Sequence, residues 1–118
     1  MPETVLIVED ERLIREVMML EFEDAGYTVL TAQDDRSALA HLTGPEPIDL
    51  LFTDIRFPGE LNGWMVAKRA AELRPGLPVI YATGYTDELP PGIVPGQLFR
   101  KPYRPTQVIE AARALRRK

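Results

Sequence analysis

The chain has 118 residues, of which 45% are hydrophobic, so it can bury one core and we expect a single domain over residues 1–118. It contains no cysteine, which excludes disulfides and thiolate metal sites and favours the reducing cytoplasm, and its apolar runs are too short to span a membrane. A net charge of −4 argues against a general nucleic-acid-binding surface, because phosphate contacts need Lys and Arg concentrated on one face.

Strands and helices alternate along the chain, and their hydrophobic patterns locate them. The first half is predicted to contain a strand at 4–8, a helix at 13–22, a strand at 27–31, a helix after the N-cap candidate Asp34, and a strand at 48–53. The second half is predicted to contain a helix at 64–73, a strand at 77–83, a short strand at 98–100 and an amphipathic helix at 106–117. Apolar strands that alternate with helices indicate an α/β fold, in which helices cover both faces of a parallel sheet.

Polar side chains stand where four of the five predicted strands end. Glu9 and Asp10 follow the first strand, Asp54 follows the third, Thr83 ends the fourth and Lys101 follows the fifth. In an open parallel sheet, ligands bind outside the carboxyl ends of the strands, near the point where the winding direction reverses. We therefore expect these five side chains to meet in one crevice.

Three of these side chains are carboxylates, and their mutual repulsion predicts a cation. At separations of about 4 Å and an effective dielectric constant of about 20, each pair repels by roughly 4 kcal/mol. Carboxylate oxygens without Cys or His ligands favour magnesium. The one histidine, His41, lies within a predicted helix far from these strand ends, and we expect it to be a surface residue.

A metal-bound aspartate can also accept a phosphoryl group, since phosphoryl transfer depends mainly on positioning and charge neutralisation. Lys101 would then pair with one phosphoryl oxygen, and the Thr83 hydroxyl would donate a hydrogen bond to another. The structural alternative is a Lys–Asp ion pair together with a helix-capping threonine.

Four segments resemble the receiver domain of two-component response regulators: VLIVEDE at 5–11, LLFTDIRFPGELNG at 50–63, PVIYATGY at 78–85 and KPY at 101–103. The resemblance covers nearly the whole chain, and the ATGY run is similar to a subgroup of single-domain receivers. It implies a flavodoxin-like, doubly wound sheet of five parallel strands in the order 2-1-3-4-5.

The resemblance also implies what the site residues do. Asp54 would be the phosphoacceptor, with Thr83 and Lys101 contacting the phosphate and a cis bond between Lys101 and Pro102. Magnesium would be the cofactor, and the residues around it would be Glu9, acting mainly through water, together with Asp10, Asp54 and the backbone carbonyl of Arg56.

The sequence departs from the family pattern in three places. The loop after Asp54 reaches Gly63 one residue later than is common. The segment between Thr83 and Lys101 is short and rich in Pro and Gly, so the fourth helix is expected to be truncated or irregular. Leu98 occupies the position of the usual switch aromatic, and Tyr85 is either its replacement or a loop tyrosine that shields the site.

The function implied is that of a phosphoacceptor switch and not of an enzyme. A sensor histidine kinase or a phosphotransfer protein would donate the phosphate, and the phosphorylated chain would bind a downstream protein differently or drain phosphate from the kinase. One alternative is a degenerate receiver that binds a partner without phosphorylation. A metal-dependent phosphatase is disfavoured, because the sequence shows no second general acid, Gly-rich phosphate cradle or lid-sized insertion.

Overall fold

The computed structural model describes residues 2–84 and 94–116. The predicted strands and helices in this part of the chain are present, and their predicted bounds differ from the observed ones by at most two residues. The elements are β1 Thr4–Val8, α1 Arg12–Asp24, β2 Thr28–Ala32, α2 Asp35–Thr43, β3 Leu50–Asp54, α3 Gly63–Leu73, β4 Val79–Thr83, β5 Gln97–Arg100 and α4 Pro105–Arg116. Within the described ranges, no helix has the length and hydropathy needed to cross a membrane.

The five strands form one parallel sheet in the order β2-β1-β3-β4-β5, which confirms the predicted order. Parallel neighbours need crossover connections, so the helices cover both faces of the sheet. One apolar core lies against α2 and α3, and the other lies against α1 and α4. The winding direction reverses between β1 and β3, which places a crevice at their carboxyl ends.

Side-chain alternation in the buried strand β1 feeds both cores. Leu6 and Val8 pack in the core beneath α2 and α3, whereas Val5 and Ile7 pack in the core beneath α1 and α4. This is the reason for the uninterrupted apolar run at the start of the chain: a central strand that is covered on both faces has no solvent-facing position.

The helical patterns overstate how much of each helix is buried. In α1, Met18 and Phe22 are buried, but Leu13, Val17 and Leu20 are 77%, 48% and 56% exposed. In α3, Leu73 belongs to the apolar pattern of the helix, but 41% of this residue is exposed. The buried residues of α3 are Gly63, Val66, Ala67 and Ala70, and at about 100° per residue Leu73 lies at the edge of that stripe.

The C-terminal end of α2 is held by contacts that the sequence did not indicate. The guanidinium of Arg74 donates hydrogen bonds to the carbonyls of Leu42 at 3.2 Å, Gly44 at 3.0 Å and His41 at 3.4 Å. The expectation that His41 is a surface residue holds in part, because the residue is half-buried and 28% of its side chain is exposed. Helix α2 packs against β2, which brings the ring within 3.1 Å of the Thr31 carbonyl.

Two predictions fall largely on residues 85–93, outside the described residues: the truncated or irregular fourth helix between β4 and β5, and the role of Tyr85. Residues 94–96, which precede β5, are not helical. Leu98 is partly buried against the core beneath α2 and α3.

Candidate functional site

The backbone pairing of the sheet continues one residue past the strands and fixes the site residues. The Glu9 amide donates to the Ala32 carbonyl at 3.0 Å, and the Lys101 amide donates to the Thr83 carbonyl at 2.8 Å. Asp54 is the last residue of β3 and pairs with Ala82 of β4. The side chains at these positions are therefore placed by the most regular part of the fold.

A single lysine joins two buried carboxylates at this edge. The Lys101 Nζ atom lies 2.8 Å from Glu9 Oε1 and 3.2 Å from Asp54 Oδ2. Glu9 and Asp54 are only 3% and 7% exposed, so these hydrogen bonds are partly shielded from water. Charge-assisted bonds of this kind hold the three side chains together although they are 47 and 92 residues apart in the chain.

Asp10 completes an acidic cluster with the two buried carboxylates. One carboxylate oxygen from each of Glu9, Asp10 and Asp54 lies within 4.8 Å of the others, and Asp10 is exposed. Hard oxygen donors with one solvent-facing member suit magnesium, which keeps several waters when it binds to proteins. The donor set therefore fits the cation that the sequence predicts.

Burial and charge shift the pKa values of this cluster. Burial raises the pKa of Glu9 to about 7, with the Lys101 hydrogen bond opposing the rise and the Asp54 charge adding to it. Burial likewise raises the pKa of Asp54, although the charge of Lys101 opposes it. Burial alone lowers the pKa of Lys101, but the hydrogen bond to Glu9 and the charge of Asp54 outweigh it, and the pKa rises. The two carboxylates thus stabilise the charged form of Lys101, whereas burial destabilises the ionised forms of Glu9 and Asp54.

An open cleft of about 600 Å³ lies above the cluster, and Asp10, Asp54, Arg56 and Lys101 are among the residues that line it. Thr83 is buried at the end of β4, and the next residue, Gly84, also lines the cleft. The bond between Lys101 and Pro102 is cis, as the resemblance implies. The residues predicted from the sequence are thus gathered at one edge of the sheet.

Comparison with known proteins identifies the family. A family model described as the response regulator receiver domain matches residues 5–91. The chain belongs to this family. Receiver domains are part of two-component systems, and solved receiver domains share the five-stranded parallel sheet described above.

Individual relatives are also receiver proteins. The response regulator receiver protein CpdR of Brucella abortus is 37% identical over 69% of this chain and 66% of its own length. The phosphate regulon transcriptional regulatory protein PhoB of Pseudomonas aeruginosa is 33% identical over 98% of this chain and 52% of its own length. A solved receiver protein from Sinorhizobium medicae superposes with a TM-score of 0.87 at 28% identity, covering 97% of this chain and 94% of that one. The chain thus spans less than two thirds of these two curated relatives.

Three supporting residues of this receiver were missed from the sequence. The Arg15 guanidinium donates to the Glu9 carbonyl at 2.9 Å and to the Asp10 carbonyl at 3.4 Å, which steadies the acidic turn. A Cβ at Gly63 would clash with the Asp54 carbonyl oxygen, so only glycine allows α3 to start this close to β3. The third is Asp35, whose partners are backbone amides. Contacts with backbone atoms leave no residue-type pattern in a sequence, so Arg15 and Asp35 could not be found this way. Gly63 could have been noticed, because a glycine stands out in the LNG run.

An apolar groove of about 430 Å³ adjoins the site of the receiver. One wall is the exposed side of α1, and the other is the segment that follows β5. Lys101 lines both the groove and the polar cleft, so the two adjoin at this residue. The groove is lined by Leu13, Ile14, Val17, Met18, Lys101, Pro102, Tyr103 and Pro105.

Proposed function

We propose that this receiver is a cytoplasmic phosphorylation switch of a two-component phosphorelay. Asp54 accepts a phosphoryl group in a magnesium-dependent reaction, and the modification alters binding to a partner protein or drains phosphate from a kinase. The observation that carries the proposal is the convergence of Lys101 on Asp54 and Glu9 inside an acidic cluster at the carboxyl ends of β1, β3 and β5.

The acidic cluster would hold magnesium through Asp10, Asp54 and the backbone carbonyl of Arg56, with Glu9 acting through water. Asp10 and Arg56 line the same cleft as Asp54, which supports this ligand set. When bound, magnesium would offset the negative charge of the carboxylates and of the phosphoryl oxygens.

In the transfer step, an Asp54 carboxylate oxygen forms a bond to phosphorus while the bond from phosphorus to the donor nitrogen breaks. The donor imidazole leaves with the bonding electron pair. Lys101 exchanges its 3.2 Å bond to Asp54 for a bond to a phosphoryl oxygen and keeps its shorter bond to Glu9. The hydroxyl of Thr83, at the end of the adjacent strand, donates a hydrogen bond to another phosphoryl oxygen.

The phosphate donor would be a sensor histidine kinase or a phosphotransfer protein that lays an apolar helix in the groove beside α1. Leu13 and Val17 are 77% and 48% exposed there, which leaves apolar surface for a partner to cover. Because Lys101 lines both the groove and the cleft, a helix seated in the groove would bring its histidine to Asp54.

The alternative function is a degenerate receiver that binds its partner without phosphorylation. Leu98 in place of the usual switch aromatic favours it. Against it, Glu9, Asp10, Asp54 and Lys101 lie together, and a module that needed no phosphate would have no use for a cluster of buried charges that carries an electrostatic cost.

Intact-mass measurement after incubation with magnesium and acetyl phosphate tests the proposal. The expected result is one added phosphoryl group, which is lost in Asp54→Asn and retained in Asp24→Asn, an exposed aspartate at the end of α1. Steady phosphate release without an adduct would indicate a hydrolase. The absence of both an adduct and phosphate release would favour the degenerate receiver that binds its partner without phosphorylation.

A further inference from the structure

Asp35 is a buried carboxylate outside the acidic cluster. It is the first residue of α2 and is 6% exposed. Its Oδ1 atom accepts the amide of Arg36 at 2.9 Å, and its Oδ2 atom accepts the amides of Glu60 at 3.0 Å and Leu61 at 3.1 Å. Two of these amides belong to the loop between β3 and α3, so the side chain ties that loop to a helix 25 residues earlier in the chain.

The loop is shaped to fit this carboxylate. Gly59 has a φ of +131°, a conformation that other residues rarely adopt. A Cβ at this position would also clash with the carboxylate of Asp35. Glycine at 59 therefore lets the loop pack directly against the Asp35 carboxylate. The hydrogen bonds from the Glu60 and Leu61 amides hold the loop in this position. The amide of Leu61 is the main reason why the pKa of Asp35 is lowered, so the carboxylate stays ionised and accepts only.

The same loop forms one wall of the polar cleft. Arg56, Phe57 and Pro58 line the cleft, and Gly59 follows them directly. The other end of the loop is closed by the Gly63 amide, which donates to the Ile55 carbonyl at 2.7 Å. The cleft wall is thus a short span between two anchors, the end of β3 on one side and Asp35 on the other.

We propose that Asp35 is a positioning residue for the metal site: by holding residues 59–61, it sets where the Arg56 carbonyl and the cleft wall lie, and so sets the affinity for magnesium. The inference rests on the proposed function, since it assumes that magnesium binds in this cleft. Groups that orient metal ligands without touching the metal typically change its affinity by about 10–100-fold when they are removed.

Calorimetric titration with magnesium chloride, without a phosphate donor, tests the inference on three variants. Asp35→Ala removes all three hydrogen bonds and is expected to weaken magnesium binding about tenfold. Asp35→Asn keeps one carbonyl oxygen that can accept both loop amides, and it should recover most of that loss. The matched control is Asp34→Ala, which removes the N-cap bond to Ser37 of the same helix but no contact to the loop.

Hydrogen exchange at the Glu60 and Leu61 amides provides a second readout on the metal-free protein. It should accelerate in Asp35→Ala and stay unchanged in Asp34→Ala. Asp34→Ala should lower the melting temperature while leaving magnesium affinity as in the wild type.

Equal magnesium affinity in Asp35→Ala and wild type overturns the inference, even if amide exchange accelerates, because the loop would then be held without affecting the metal. Equal weakening by Asp34→Ala also overturns it, since the cause would be general destabilisation. If Asp35→Ala does not fold, Gly59→Ala, whose Cβ would clash with the Asp35 carboxylate and displace the loop, is compared with the same control, and wild-type magnesium affinity in it overturns the inference. A wild type that binds magnesium and is phosphorylated, with no effect of Asp35, removes only this inference. A wild type that binds no magnesium removes the proposed function with it.

Discussion

Substitution of Glu9 by Gln is expected to stabilise the metal-free protein in a way that depends on pH. Glu9 is 3% exposed, and burial raises its pKa from 4.5 to about 7. Because the folded-state pKa lies above the unfolded-state value, protonated Glu9 favours folding below about pH 4.5, and this stability is lost as the pH rises through about 7. Glutamine mimics the protonated acid and never ionises, and its amide oxygen can still accept from Lys101.

The pKa rise sets an upper limit on the gain in the free energy of unfolding. It corresponds to at most about 3 kcal/mol at pH 8, and the gain should be small near pH 4.5. The assay is urea unfolding of the wild type, Glu9→Gln and the exposed neighbour control Glu11→Gln, with a chelator present. Magnesium at pH 8 should reverse the order, because it favours the ionised carboxylate. A difference between Glu9→Gln and wild type that does not change with pH would refute the electrostatic reasoning, as would the same gain in Glu11→Gln.

Two further predictions concern the packing of the helices and the binding of the donor. Arg74→Ala removes three hydrogen bonds to carbonyls at the end of α2 and should lower the free energy of unfolding by about 1–3 kcal/mol in urea. Arg69→Ala, which breaks only an exposed 3.6 Å pair, should cost less than about 1 kcal/mol, and equal losses would contradict the role given to Arg74. Leu13→Asp should slow phosphate transfer from a histidine-bearing donor protein, measured with a radiolabelled donor, and leave labelling by acetyl phosphate unchanged. Leu20→Asp, exposed on the same helix but not among the residues that line the groove, is the control, and an equal slowing by it would argue against the groove as the docking site.

The sequence predicts the fold well because its central strands have no exposed face. The apolar runs at residues 4–8 and 48–53 are visible without tertiary knowledge, and acids follow both directly. The helices were harder, because an apolar residue such as Leu13 or Leu73 can be exposed at the edge of a stripe or in a groove. Periodicity locates a helix, but it does not show how wide its buried stripe is.

Some residues of the candidate site could be predicted from the sequence, and others could not. Glu9, Asp54 and Lys101 could be predicted, since charged side chains at the carboxyl ends of parallel strands must converge wherever the sheet places those ends. Asp35 could not, because its loop partners are amides 25 and 26 residues away, and any residue type except proline supplies an amide. What the sequence misses here is the support of the site and not its reactive groups.

The position of Lys101 indicates where a signal would leave the site. Its side chain is shared between Glu9 and Asp54, and its amide donates to the Thr83 carbonyl at 2.8 Å. A phosphoryl group on Asp54 would add strong hydrogen-bond acceptors beside both Lys101 and Thr83. Because the backbones of these two residues are hydrogen-bonded to each other, a shift of either would displace the ends of both β4 and β5. Strand β5 is one of the two edge strands of the sheet, with β2, and is only partly buried, whereas β1, β3 and β4 are buried throughout. If Asp54 is phosphorylated as proposed, β5 can therefore move at less cost in packing than β4, and a partner that distinguishes the phosphorylated receiver is expected to bind at β5.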